Sequence, residues 1–159
     1  QEGLTMVEDE DAEQIASRAP FMLALLGFVP FAVLTGAQFV PSATLAHTLG
    51  LTALNVYAAI ILSFLGGIRW GMVVNAPDQR AVIPVFLLSV VPSLWAWAAF
   101  FAPGPWGFVM YAIGFAAMGW WDRALVARGE APAWFGLLRV TLTLLVAPTM
   151  LLAALSRII

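Results

Sequence analysis

Residues 61–71, ILSFLGGIRWG, end a long apolar run, yet they hold Gly66, Gly67 and Gly71 and a full charge at Arg69. A helix needs about 20 apolar residues to cross the hydrocarbon core of a bilayer. A charge close to the end of such a run marks the approach to an aqueous rim. Two later segments answer it. GWWDRAL at 119–125 and LLRVTLT at 137–143 set Asp122 and Arg139 against apolar neighbours. All three segments are expected to meet at one face of a membrane.

Composition points the same way. Of 159 residues, 62% are hydrophobic and 10% charged, with a mean hydropathy of +0.94. A soluble domain is about half apolar and about a quarter charged. A soluble chain this apolar would lack the polar surface that keeps it dispersed, whereas lipid covers the outside of a membrane protein. There is no cysteine, which excludes disulfides and thiolate metal sites. All seven basic residues are arginine, and six of the nine acids fall within the first 13 residues. No basic patch stands outside the membrane flanks, so nucleic acid is not an expected partner.

Taken in order, the chain reads as an acidic tail at 1–19 and then an all-α integral membrane bundle of five transmembrane helices. Their expected spans are about 20–40, 51–74, 82–101, 106–121 and 134–155. The tail carries Glu8, Asp9, Glu10, Asp11 and Glu13 and has no basic region ahead of an apolar run, so the first span is expected to act as the insertion signal. The tail is either a disordered, solvated segment or a short helix on the membrane surface or on a partner. Pro20 suits a first helical turn, and Pro30 should kink the first span. Residues 41–50 read as an outer loop that carries His47, the single histidine. APGP at 102–105 makes the third and fourth spans an antiparallel hairpin, and 122–133 reads as the longest polar connection. Five crossings place Arg18, Arg80, Arg123 and Arg128 on one side, with Arg69 and Arg139 just inside it, and leave Arg157 on the other. The N-terminus is therefore expected to face the cytoplasm.

Within the second span, Ala59, Ser63, Gly67 and Gly71 form a small-residue stripe at helical spacing. Such stripes admit close helix packing, either within the chain or as a homo-oligomer seam through Gly67 and Gly71. A charge at the centre of a membrane helix costs about 2.5–3.5 kcal/mol, and less near the interface. Arg69 and Arg139 can escape that cost by reaching toward headgroup phosphate, or by pairing with Asp122, which ends the fourth span at the same expected depth. If both arginines point inward, one is left free. Beside Trp70, Trp120 and Trp121 it could hold an anionic lipid headgroup or a quinone carbonyl. Otherwise these tryptophans form an aromatic belt together with Trp106 and Trp134. Tyr57, Tyr111 and Gln38 are expected to hydrogen-bond across helices. No nucleophile–base pair, no metal-ligand cluster and no deep carboxylate suggests catalysis, and no catalytic residue, metal site or cofactor is expected beyond a bound phospholipid or quinone.

SFLGGIRWG, the later WD/R-rich turn and LLRVTLT together resemble the small bacterial and mitochondrial inner-membrane family, a domain of unknown function, that includes transmembrane protein 69. The resemblance covers nearly the whole apolar part and rests most on Ser63, Gly66, Gly67, Arg69, Trp70, Gly71 and Arg139. It implies a multi-spanning inner-membrane protein, bacterial here rather than mitochondrial, and carries over no catalytic residue. The leading expectation is a non-catalytic accessory or assembly subunit of a larger energy-transducing membrane complex, docked through the acidic tail. The alternative is a lipid- or quinone-binding or transport module built on Arg69, Asp122 and Arg139.

Overall fold

A computed structural model describes residues 2–41, 44–76 and 82–158, with side chains from Arg18 onward. Five long helices follow one another: α1 (Glu2–Gly36), α2 (Thr44–Val73), α3 (Ile83–Phe101), α4 (Trp106–Ala127) and α5 (Ala133–Leu155). A 3-10 turn at Ala37–Phe39 follows α1, and no strand occurs among the described residues. Residues 18–39, the second half of α1 with the turn that follows it, and α2, α3 and α5 throughout, are long and apolar enough to cross a membrane. The chain is a multi-pass membrane protein.

Neighbouring helices run antiparallel in an up-and-down ring that α5 closes against α1. The polar groups of the spans tie these neighbours together. The Tyr57 hydroxyl donates to the Gly27 carbonyl across α2 and α1 at 2.8 Å. Trp95 Nε1 and the Tyr111 hydroxyl donate across α3 and α4, to Met110 O at 2.7 Å and Ala96 O at 3.3 Å. In hydrocarbon such groups have no water to turn to, so these bonds are the way they are satisfied. Gln38 departs from expectation: its Nε2 donates to Leu34 O, one turn back in its own segment, rather than to another helix.

Helix α4 has the largest buried share of the helices among the described residues. Ten of its 22 residues are buried, including Tyr111, Phe115 and Met118. Its glycines, tryptophans, Asp122 and Arg123 leave it less apolar than the four candidate spans, which is tolerable because protein rather than lipid surrounds much of it. It starts where α3 ends and finishes beside the end of α2 that carries Arg69.

Four boundaries differ from the sequence reading. Helix α1 passes through Pro20 without a break, so Pro20 is interior rather than first-turn. Helix α2 begins at Thr44 and not at 51, so His47 lies on a helix rather than in a loop. Thr48 and Thr52 donate to the carbonyls four residues back, which lets polar side chains occupy helical positions. Helix α4 runs to Ala127 and not 121, because Asp122 is paired inside the bundle instead of meeting water. The α4–α5 link shrinks to 128–132, and Gly129 at φ 73° closes α4 with Gly129 N–H to Val126 O and Glu130 N–H to Leu125 O, both 3.0 Å. That is a Schellman ending, which favours glycine at the left-handed position. The acid cluster from Glu8 to Glu13, and Asp78 and Arg80, have side chains outside the described residues.

The small-residue stripe also resolves differently. Ala59 packs against the core, but Gly67 and Gly71 face outward with nothing within 4 Å of a Cβ built there. Among the described residues neither packs against another helix. The glycine that brings α2 and α3 together is Gly66, where an added Cβ would stand 2.3 Å from the backbone oxygen of Ser89. Backbone cannot swing aside as a flexible side chain can. Gly66→Val is expected to destabilise the protein in detergent by about 1–3 kcal/mol or more, the range for overpacking, while Gly67→Val stays close to the parent. Thermal unfolding of the two variants side by side checks this.

Candidate functional site

Arg69, Asp122 and Arg139 come together at one end of the bundle, from α2, α4 and α5. Arg69 Nη2 stands 2.9 Å from Asp122 Oδ1. Arg139 Nε donates to Asp122 Oδ2. The three are 2%, 2% and 5% exposed, so none reaches out to lipid headgroups. Snorkelling does not occur, and one carboxylate holds both guanidiniums. Neither Arg69 Nη2 nor Arg69 Nε makes a hydrogen bond among the described residues. The Arg69 guanidinium carbon lies 4.3 Å from the ring centroid of Trp121, which covers the cation with an aromatic face.

The seam between α4 and α5 explains how a charged rung fits here. One turn to one side of the Asp122–Arg139 pair, Thr143 lies against Gly119, where an added Cβ would fall 2.1 Å from the threonine hydroxyl oxygen. On the other side Val126 lies against Gly136. Each step along α4 is matched by a step back along α5, with a large side chain opposite a small one on both sides of the pair. The two helices are thereby close enough for a carboxylate and a guanidinium to meet directly.

A lateral cleft of about 380 Å³ adjoins the triad between α1, α2, α4 and α5. Phe28 and Phe31 of α1, Leu65 of α2, Phe115 of α4 and Val146 of α5 wall it, and only Arg139 and Thr143 among its lining residues are polar. On α1 it extends from Pro20 to Phe31, eleven helical steps or about 16 Å of helix. That is roughly half the hydrocarbon thickness, the depth of one leaflet. A second apolar groove, about 520 Å³, lies between α3 and α4 with Trp121 in its wall and Arg128 at one end. Arg128 Nε is already paired with Glu130 Oε1 at 2.7 Å.

A family model described as "Protein of unknown function (DUF3429)" matches residues 16–155. The chain belongs to the DUF3429 family. Transmembrane protein 69 of Xenopus tropicalis is 31% identical to it over 146 residues, which cover 85% of this chain and 53% of that protein. The chain thus spans about half the length of this curated relative. No solved structure matches it. The triad and all of the cleft lie inside the segment that the DUF3429 family model covers.

Of the tryptophans read as part of the site, only Trp121 reaches it. Trp70 and Trp120 are exposed, and Trp70 packs on Phe86 instead. Three contributions escaped the sequence reading: the sharing of one carboxylate by two arginines, the Gly119–Thr143 contact, and the aromatic wall supplied by α1. A signal for the first two existed. Gly119 and Asp122 are three apart, and Arg139 and Thr143 four apart, so each pair shares a helix face. Asp122→Asn would leave two buried guanidiniums without their anion, a loss of about 3–5 kcal/mol. The triple change Arg69→Met, Asp122→Leu, Arg139→Met removes the whole network and is expected to be markedly more stable than the single variant. Unfolding in detergent ranks the two, and the reverse order would show that the triad itself supplies net stability.

Proposed function

We propose that this DUF3429 protein is a non-catalytic membrane module that holds one amphiphile, a lipid or a quinone, in the cleft beside α1, with its polar head at Arg139. The observation that carries this reading is the junction, at Arg139, of an apolar cleft one leaflet deep with a buried cluster in which two guanidiniums share one carboxylate. Its volume lies within the roughly 300–1,000 Å³ of small-molecule pockets, which are mostly apolar with a few placed polar groups. The absence of catalysis is part of the proposal. Arginine stays protonated and is a poor proton donor, and the Asp122 carboxylate already serves two cations. Native mass spectrometry of protein extracted in mild detergent is expected to find one retained amphiphile. Arg139→Met, which forfeits a charge-assisted hydrogen bond of about 1.5–3 kcal/mol, should lower its retention roughly tenfold to a hundredfold. Unchanged retention in a folded Arg139→Met protein overturns the assignment.

We propose in addition that α4 is the fourth of five crossings, with the N-terminus in the cytoplasm and the protein in a bacterial inner membrane. Two observations support this: α4 traverses the same depth as its antiparallel neighbour α3, and arginine is enriched at the triad end. A second reading, as an accessory or assembly subunit of a larger energy-transducing complex, is favoured by α1. Its 35 residues amount to about 52 Å of helix against a core of about 30 Å, so an acidic helical extension stands clear of the membrane. The natural absence of cysteine makes one labelling experiment decisive for the topology. In intact cells an impermeant maleimide should label Ser156→Cys and spare Ala131→Cys, and the opposite pattern removes the orientation. Deleting residues 1–13 should abolish co-purification with a larger complex; full co-purification removes the docking role.

A further inference from the structure

We infer that the head group selected by this cleft is a monoanion with two acceptor oxygens on one centre, a carboxylate or a phosphodiester, in preference to a neutral carbonyl or a zwitterion. The inference rests on the cleft being the ligand site. Charge decides it. Two guanidiniums meet one carboxylate, all three nearly sealed from solvent, so among the described residues one positive charge is unmatched. The other acid with a described side chain, Glu130, is exposed in the 128–132 loop and taken by Arg128 at 2.7 Å. The donors are as unbalanced as the charge. Two guanidiniums carry about ten N–H groups, while a carboxylate offers roughly four acceptor sites.

Arg69 cannot collect the missing anion, because Trp121 covers it and it does not line the cleft. Arg139 does line the cleft. A monoanion placed against it would neutralise the site and accept N–H groups that Asp122 cannot serve, in the bidentate manner that suits arginine. A quinone carbonyl would accept one such bond and leave the charge uncompensated. A phosphocholine would bring a second cation toward a site that already holds one too many.

The test uses the full chain, stripped of lipid by detergent exchange and offered an equimolar panel of oleate, phosphatidylglycerol, phosphatidylcholine and a long-chain ubiquinone, with retention read by native mass spectrometry. Oleate, phosphatidylglycerol or both should be retained at least tenfold over the other two. The winner between them separates a fatty carboxylate from a phosphodiester lipid. Equal or greater retention of ubiquinone or phosphatidylcholine overturns the charge rule while leaving an amphiphile site in place. Retention of none removes both. Arg69→Met, which makes the triad neutral without touching the cleft wall, should bring the anionic preference close to unity, checked on a monodisperse, helical sample. A preserved tenfold preference in that variant overturns the inference, and the wild-type panel is decisive whether or not the variant folds.

Discussion

One carboxylate, Asp122, sits between two guanidiniums in the apolar interior, and the bundle is built to keep it there. Each of these groups alone would cost several kcal/mol to bury. Together they bind α2, α4 and α5 at a common depth, because none of the three can move outward without stranding the others. The pairing also explains why α4 continues past Asp122 to Ala127, and why the link to α5 is only 128–132. A charge at that point would ordinarily mark the exit of a helix into water. Here its partner is inside, so the helix goes on until Gly129 closes it.

Close backbone approach is the second requirement. With no hydrophobic drive between helices in lipid, packing and direct polar contact hold the bundle. Gly66 lets α2 meet the α3 backbone at Ser89, and Gly119 and Gly136 receive Thr143 and Val126 on both sides of the charged pair. The ring is less tightly filled beside α1, and the cleft lies there. Its wall is apolar except for Arg139 and Thr143, so a single polar contact point stands against a long apolar surface. That division matches the division within an amphiphile. The unmatched charge of the triad gives the polar end a sign, which the apolar wall alone could not supply.

Much of this architecture was legible in the chain. The five helical segments follow from runs of apolar residues broken by Pro, Gly and charge, and the meeting of the 61–71, 119–125 and 137–143 segments follows from where their charges fall. The errors occurred where polarity was taken as a sign of water. Thr44 to Gly50 looked like a loop, but its threonine hydroxyls fold back onto helix carbonyls. The region after Asp122 looked like a loop, but the acid is 2% exposed. Gly67 and Gly71 face outward, and Gly66 is the glycine that brings α2 against α3.

The sequence by itself determined the membrane class, the helical content and the identities of the charges that had to find partners, because hydropathy and the cost of a lone charge in hydrocarbon are local properties of each segment. Only the tertiary structure decided that Asp122 serves both arginines, that Trp121 rather than Trp70 or Trp120 covers Arg69, and that a cleft opens beside Arg139. Those outcomes depend on the rotation of each helix about its axis and on the register of α4 against α5. A difference of one residue in either turns a side chain by about 100°, and no single helix carries the information that sets it against the next.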